Sequence, residues 1–276
     1  MANLTAFPVH DSGWMAGPSA AAMPRSAFSR PLRYLLIDIS NSYTKLAFST
    51  SQRVARAARI PTRELTRKAL QGYFKKRPLD VVVVSSVVPA KNRMITLAAA
   101  RRRVLFVDAT CDLGVGVDYP APETIGADRL ANAVAVAHLY GAPAIVVDFG
   151  TAVTFDVVSA AGDYVGGVIA PGLEAMTSFL YDRTALLPKL ILREPARAIG
   201  RTTRAAMMSG AIYGYRGLVR EIIARIRAES FARQKVHVVG TGGYAELIAR
   251  HLPEIEAVHP GLTLEGLRLV ANRSIT

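Results

Sequence analysis

The chain has 276 residues, of which 51% are hydrophobic, and it carries a formal net charge of +13 with a single cysteine, Cys111. No apolar run approaches the roughly 18–20 residues that a membrane span needs, and one thiol cannot build a disulfide framework. We therefore expect a cytoplasmic protein without a membrane partner. Because the basic residues are scattered along the sequence, a nucleic-acid partner is not expected either.

The first 31 residues differ in composition from the rest of the chain. They are rich in Ala, Pro, Ser and Gly and show no regular hydrophobic periodicity. A secretory signal would need an unbroken apolar core after a basic segment, whereas Asp11, Gly13 and Pro18 interrupt this one. We interpret residues 1–31 as a disordered extension or a mis-called start, with Met15 or Met23 as alternative first residues.

Residues 32–125 predict one lobe of mixed strands and helices. Leu65, Leu70 and Phe74 share one side of a helix, and Val81–Val84 is typical of a buried strand. In chain order the predicted elements are strands over 35–39, 45–48 and 53–60, a helix over 62–74, a strand over 81–85, a helix over 89–103 and a strand over 104–107.

Residues 126–276 predict a second lobe with the same theme. Gly141 and Pro143 end a helix, and the turn at 161–163 joins two strands. In chain order the predicted elements are a helix over 127–140, strands over 144–148, 154–158 and 164–169, helices over 173–185 and 203–230, a strand over 235–239, a turn over 241–243, and helices over 244–251 and 264–271.

Two segments, one opening each lobe, carry the same turn. Residues 34–50 and 144–160 each contain an apolar β-branched run that ends in an aspartate, then small and hydroxyl residues, then another strand-like run. Laid over each other, Asp38 matches Asp148, Ser40 matches Gly150, Asn41 matches Thr151 and Thr44 matches Thr154. The repetition predicts a duplicated fold that closes on a nucleotide from both sides.

The chemistry of the turns suits phosphate. Small residues let backbone N–H groups approach phosphate oxygens, and Lys45 offers a point charge. A carboxylate repels phosphate unless a cation intervenes, so Asp38 would hold a metal-bound water and Asp148 would need a cation partner. Gly150 leaves the backbone free to adopt a positive φ. The alternatives are an ordinary hairpin with a salt-bridged lysine, and a capped turn with a surface aspartate.

A third motif, Gly126–Arg129, lies at the mouth of the helix over 127–140. Asp128 there is either a first-turn carboxylate favoured by the helix dipole or a base that accepts a hydroxyl proton. Arg129 can grip an anionic group through two N–H bonds, and Tyr119 lies a few residues upstream. Together they form a possible substrate cluster.

These motifs, in this order, resemble the type III pantothenate kinases, which belong to the acetate kinase, sugar kinase, Hsp70 and actin superfamily. The motifs are the DxxNSxxK turn, GADRLANA, VVDFGTAxTFDVV, GGVIAPG and the GTGG turn. The similarity covers about Leu32 to Arg273. It implies an α/β fold of two ribonuclease H-like lobes, each a mixed sheet with flanking helices.

The resemblance also implies a function, its cofactors and its site. The function is ATP-dependent phosphorylation of pantothenate to 4′-phosphopantothenate, the first step of coenzyme A biosynthesis, by a homodimer that uses Mg²⁺ and K⁺ or NH₄⁺. Asp128 would be the general base and Asp148 the ligand of the monovalent cation. ATP would contact Asp38, Ile39, Ser40, Asn41, Ser42, Tyr43, Thr44, Lys45 and Thr151. Pantothenate would contact Tyr119, Gly126, Ala127, Asp128, Arg129 and Thr203.

One departure from the family pattern keeps alternatives open. The family's first turn usually reads DxGNTxxK, and this chain has Ser40 and Ser42 in place of its glycine and threonine. If position 40 needed a positive φ, the serine would cost roughly 1 kcal/mol and weaken ATP binding. The alternatives are another small-molecule kinase of the superfamily and a non-catalytic regulatory relative.

Overall fold

The computed structural model describes residues 32–232 and 234–275. Residues 1–31, for which the sequence predicts an extension or a mis-called start, lie outside the described residues. The described part contains two β-sheets with helices on their faces. Among its helices, none has both the length and the apolar character that a membrane span requires.

The first sheet has five strands in the order β3-β2-β1-β4-β5. β2 runs antiparallel to β1 and β3, whereas β4 runs parallel to β1 and β5. The strands are β1 (Arg33–Ile39), β2 (Tyr43–Thr50), β3 (Ala58–Pro61), β4 (Val81–Ser86) and β5 (Arg103–Phe106).

The second sheet repeats that pattern and adds one edge strand. Its order is β11-β10-β7-β8-β9-β6, so that β7, β8, β9, β10 and β11 take the places of β1 to β5 with the same directions. The strands are β6 (Gly116–Val117), β7 (Ala144–Phe149), β8 (Ala152–Val158), β9 (Asp163–Pro171), β10 (His237–Gly242) and β11 (Ala257–Val258). Each sheet is therefore one copy of a ribonuclease H-like unit.

Seven α-helices cover the sheets in the described residues. Thr66 caps the first of these helices, and Thr202 caps the longest. In each case the threonine side chain accepts a hydrogen bond from the backbone N–H three residues later. The helices are α1 (Arg67–Lys76), α2 (Pro89–Ala99), α3 (Ala127–Leu139), α4 (Leu173–Arg183), α5 (Thr203–Ile226), α6 (Ala245–Ala249) and α7 (Leu262–Ile275); α5 runs on into a π-helical turn, Arg227–Phe231.

The alternation of apolar residues along the central strands fixes the layers. Leu35 and Ile37 of β1 pack against α1 and α2, whereas Tyr34 and Leu36 on the other face pack with α3 and α7. The second sheet likewise packs one face on α3 and α7 and the other on α4, α5 and α6. α3 and α7 thus lie between the two sheets; α3 contacts strands of both sheets, and α7 contacts α3 and strands of the first sheet. The division of the chain into two lobes, one over residues 32–125 and one over residues 126–276, remains a prediction.

Most predicted elements are present, with shifted ends. The strand expected over 53–60 begins only at Ala58, and β6 and β11 were not predicted. The segment expected to be one helix from residue 62 is divided: a short 3₁₀ helix covers Thr62–Glu64, and α1 begins at Arg67. Thr62 is buried, and its hydroxyl donates to the carbonyl oxygen of Ser40 at 2.7 Å, so that it also braces the first turn.

Candidate active site

The central strands of the two sheets direct one aspartate each into a shared cleft. Asp38 is the second-last residue of β1, where it pairs with Lys45, and Asp148 is the second-last residue of β7, where it pairs with Thr154. Six residues lie between Asp38 and Lys45, and five lie between Asp148 and Thr154. Thr154 therefore corresponds to Lys45 in the register, which corrects the expected match with Thr44.

A single lysine serves the two aspartates. Lys45 Nζ lies 4.0 Å from Asp38 Oδ2. The pKa of Asp38 is raised to about 7, chiefly by burial; Lys45 lowers this pKa, and the charges of Asp128 and Asp148 raise it. Burial likewise raises the pKa of Asp148, which Lys45 lowers. Lys45 therefore acts on the aspartates of both turns, and their carboxyl groups are short of positive charge.

The helices between the sheets contact Asp148 through a hydrogen bond. Asn132 of α3 donates its amide to Asp148 Oδ2 at 3.4 Å, and its own carbonyl oxygen accepts a bond from Thr263 of α7 at 2.9 Å. Asn132 is fully buried. No sequence pattern selects Asn132, because an amide in a helix of apolar residues has no distinctive spacing.

Asp128 lies in the first turn of α3, with its carboxylate folded back over Gly126. Asp128 Oδ1 accepts a bond from the backbone N–H of Arg129 at 2.9 Å. Burial raises its pKa, and the charge of Asp148 raises it further. Asp128 is thus both the first-turn carboxylate and a neighbour of the acids at the strand ends, so the two interpretations of this residue are compatible.

The tips of the two turns touch across the cleft. The hydroxyl groups of Ser42 and Thr151 are 2.8 Å apart, and both residues are exposed. Ser40 donates its N–H to the carbonyl of Tyr43, and Gly150 makes the equivalent bond to Ala152. The two turns are therefore joined at their tips by a hydrogen bond between hydroxyl groups.

Neither Ser40 in the first turn nor Gly150 in the second adopts a left-handed backbone conformation. Among the described residues, the positive φ angles belong to seven residues that include neither Ser40 nor Gly150. Gly150 therefore does not use the positive φ that a glycine permits. The same observation removes the conformational cost considered for Ser40, because a serine is unstrained there.

Several residues of the first turn can offer a ligand only their backbone. Ile39 and Thr44 are fully buried, and the Thr44 hydroxyl lies 3.1 Å from that of Thr62. Tyr43 is exposed, with the guanidinium of Arg59 3.4 Å from its ring centroid. Asn41 is exposed as well. The polar side chains open to the cleft at this turn are thus those of Asn41, Ser42 and Lys45.

A second cluster extends the cleft beyond Asp128. Arg129 Nε lies 2.6 Å from Oδ1 of Asp156, a fully buried residue of β8. Burial raises the pKa of Asp156 to about 6, although Arg129 beside it lowers that pKa. Tyr164 lies under Arg129, and the ring centroid of Tyr119 is 6.1 Å from that of Tyr164. Tyr119 and Arg129 are therefore parts of one pocket.

The sequence analysis missed Asp156 and Tyr164, although Asp156 could have been detected from its pattern. A carboxylate among alternating apolar residues of a strand is rarely buried without a partner. Asp156 stands in such a strand, eight residues after Asp148. Tyr164 carried no comparable indication.

Thr203 is the predicted site residue that the described chain does not bring to the cluster. It is exposed at the first position of α5, next to its cap Thr202. Within residues 32–232 and 234–275, no hydrogen bond or ion pair joins Thr203 to Asp128 or Arg129. Its substrate contact remains a prediction.

The acids do not form a metal site by themselves. Across the described ranges, no group of three or more His, Cys, Asp or Glu side chains could hold a metal ion. Asp38 Oδ1 is nevertheless buried and has no hydrogen-bond partner among the described residues. Carboxylates in this condition fit a cation that a phosphate group or water also ligates.

The architecture and the site define the class of protein. A duplicated ribonuclease H-like fold, with an acid at the end of each central strand and a cleft between the sheets, is the fold of the actin-like ATPase superfamily. Among solved structures, the ethanolamine utilization protein EutJ from Carboxydothermus hydrogenoformans superimposes with a TM-score of 0.52 at 16% identity, covering 87% of this chain and 90% of that chain. At this identity the likeness shows the fold alone.

Sequence relatives narrow the class to one family. Residues 34–225 match the family of the type III pantothenate kinases. The type III pantothenate kinase of Akkermansia muciniphila is 47% identical over 250 residues, 88% of this chain and 100% of that protein. That of Methylacidiphilum infernorum is 42% identical over 236 residues, 86% of this chain and 87% of that protein. The chain belongs to the type III pantothenate kinase family.

Proposed function

We propose that this protein transfers the γ-phosphoryl group of ATP to the primary hydroxyl of pantothenate, the first step of coenzyme A biosynthesis. The observation that carries the proposal is the cluster of Asp38, Asp128 and Asp148 around Lys45, between two matching turns, in a chain of this family. Such an arrangement offers phosphate contacts from both lobes and a base between them.

Asp128 is the base of the proposed reaction. The N–H of Arg129 fixes its carboxylate, and the raised pKa makes it a better proton acceptor than an ordinary aspartate. It takes the proton of the pantothenate hydroxyl as the oxygen attacks the γ-phosphorus. Because the transition state of phosphoryl transfer is loose, positioning and charge neutralisation contribute more than the strength of the base.

The turns hold the triphosphate. Asn41, Ser42 and Thr151 offer polar side chains at the tips, and Lys45 offers a cation at the base of the cleft. Asp38 would orient the water ligands of Mg²⁺, and Asp148 would ligate K⁺ or NH₄⁺. When bound, these cations neutralise phosphate charge and offset the charge of the buried carboxylates.

The direct test is a coupled assay that detects ADP formation with purified protein, ATP and Mg²⁺. ADP should form only when pantothenate is present, and 4′-phosphopantothenate should be the second product by mass spectrometry. Turnover with a different alcohol but not with pantothenate would point to another kinase of the superfamily. Nucleotide binding without turnover would contradict the proposal and favour a regulatory role.

The active form that we propose is a homodimer in the cytoplasm, where ATP is available. The support is an apolar surface formed by the end of β9, α4 and the segment between α4 and α5. Phe179, Leu186 and Ile191 there are 61%, 88% and 86% exposed, and Ile199 is 83% exposed. Monomeric proteins rarely expose so many large apolar side chains together. A cavity of about 770 Å³ adjoins this surface, between residues 191 and 208.

A second copy of the chain covers this surface in the proposal, which would also place Thr203 at the interface. Light scattering after size exclusion should give the mass of two chains for the wild-type protein. The double variant Leu186→Glu and Ile191→Glu should give one. A monomeric wild-type protein at micromolar concentration would contradict the dimer without affecting the assignment of the reaction.

A further inference from the structure

The ion pair between Arg129 and Asp156 leaves part of the arginine unused. Asp156 Oδ1 accepts from Nε at 2.6 Å, and among the described residues the only other bond to this carboxylate is a long one from Thr154, at 3.5 Å to Oδ2. Arg129 Nη2 is buried and has no hydrogen-bond partner in the described residues. The guanidinium is therefore held by its Nε edge, and its buried Nη2 group lacks an acceptor among the described residues.

A second unpartnered donor lies beside the first. The Tyr164 hydroxyl is buried without a partner among the described residues, and the Arg129 guanidinium carbon lies 5.7 Å from the Tyr164 ring centroid. Burial raises the pKa of Tyr164, so its hydroxyl is neutral and can donate. Two buried donors without acceptors are costly in an empty pocket. They suit a ligand that brings a negatively charged oxygen.

Two glycines let β9 lie close to Arg129 and to Tyr119. A Cβ atom at Gly167 would lie 2.9 Å from Arg129 Nη2 and would also collide with the carbonyl of Phe155. A Cβ at Gly166 would touch the Tyr119 ring at 3.5 Å. The glycine pair thus lets β9 approach the guanidinium and the ring of Tyr119.

We propose that Asp156 is a positioning residue, which holds Arg129 by Nε so that Nη2 and the Tyr164 hydroxyl receive the carboxylate of the substrate. The inference rests on the proposed function and deepens it, because pantothenate carries one carboxylate at the end remote from its reacting hydroxyl. Asp156 itself does not touch the substrate. A guanidinium fixed in advance loses less conformational freedom when the carboxylate binds.

The competing explanation is a purely structural ion pair. Buried ion pairs contribute little net stability, yet removal of one partner is strongly destabilising because the other charge stays buried. A structural role would therefore appear as reduced stability with unchanged Michaelis constants. A positioning role would appear in the KM for pantothenate and not in the KM for ATP.

The experiment compares Asp156→Asn with the wild-type enzyme. Asparagine keeps the shape of the side chain and removes its charge, so we expect the KM for pantothenate to rise at least tenfold and the KM for ATP to change less than twofold. With Arg129→Lys in the background, Asp156→Asn should raise the KM for pantothenate less than twofold, since lysine has no Nε edge to hold.

The matched control is Glu254→Gln. This variant breaks the ion pair between Arg220 and Glu254, whose atoms are 2.9 Å apart and which lies away from the cleft. It should leave both KM values unchanged.

A pantothenate KM within twofold of wild type in folded Asp156→Asn would overturn the proposal. Parallel increases in both KM values would overturn it as well.

A measurement on the wild-type protein covers the case in which Asp156→Asn does not fold. The Nε–H proton of Arg129, assigned by NMR with Arg129→Lys, should exchange slowly with water before substrate is added, and pantothenate should shift the Nη signals. An Nε–H that exchanges as fast as those of surface arginines would refute the prearranged guanidinium. Calorimetric binding of pantothenate separates this result from the kinase assignment, because binding does not require turnover.

Discussion

Replacement of Asp38 by asparagine should stabilise the unliganded protein while it removes a group that the site needs. The side chain is 3% exposed, and burial raises its pKa from 3.8 to about 7 despite the nearby Lys45. Between those two values the unfolded chain releases the proton while the folded chain retains it. Wild-type stability is therefore lost as the pH rises from about 4 through 7. Asparagine has the same shape and no charge.

The magnitude follows from the size of the shift. About three pKa units correspond to about 4 kcal/mol of stability above pH 7, at 1.36 kcal/mol a unit. At pH 5 the folded carboxyl is protonated and the unfolded one is mostly ionised, which leaves a cost of about 1.7 kcal/mol. The advantage of Asp38→Asn over the wild type should therefore grow by about 2.5 kcal/mol between pH 5 and pH 8.

Urea unfolding at both pH values, without nucleotide and with a chelator present, measures this difference. The control is Asp108→Asn. Burial raises the pKa of Asp108, but hydrogen bonds from Thr110 outweigh burial, so that the net pKa is below the usual range. Its stability difference from wild type should stay constant between pH 5 and pH 8. An advantage of Asp38→Asn that is equal at both pH values, or smaller at pH 8, would refute the reasoning. Kinase activity of the variant should be lost at either pH.

Three further predictions concern the cleft. Asp128→Asn should fold normally and lose about 10²–10⁴-fold in kcat, as expected for a general base; near-wild-type turnover would end that assignment. Wild-type activity should require potassium or ammonium, and Asp148→Ala should abolish either this requirement or the activity; equal wild-type rates in sodium and potassium buffers would contradict a cation at Asp148. Ser40→Gly should change the KM for ATP by less than about threefold, because Ser40 does not have a positive φ; a tenfold improvement would show that the serine obstructs the phosphate.

The repeated aspartate turn was sufficient to predict the duplicated sheets. In both copies the aspartate comes at the end of a run buried on both faces, which places it at the end of a central strand. Two such strands from related sheets direct their acids into one cleft, as Asp38 and Asp148 do. The pattern predicted the location of the site because periodicity and strand ends are local properties.

Other parts of the site depend on contacts that no local pattern encodes. The partnership of Asp156 with Arg129 joins residues 27 positions apart, and that of Asn132 with Thr263 joins residues 131 positions apart. Residue type showed that Gly150 permits a positive φ, but glycine does not require one. The contact by which Thr62 braces Ser40 was not predicted, because it arises only when β3 brings Thr62 to the first turn.

The two helices between the sheets have a consequence for how the molecule can be divided. The apolar faces of both sheets share α3 and α7 as their cover, and the carbonyl of Ala131 in α3 lies so close to Gly266 in α7 that a methyl group would not fit. A fragment that ends before residue 126 would expose one side of its sheet to water. Fragments produced separately should therefore precipitate or recombine, and complementation between them should restore a working enzyme.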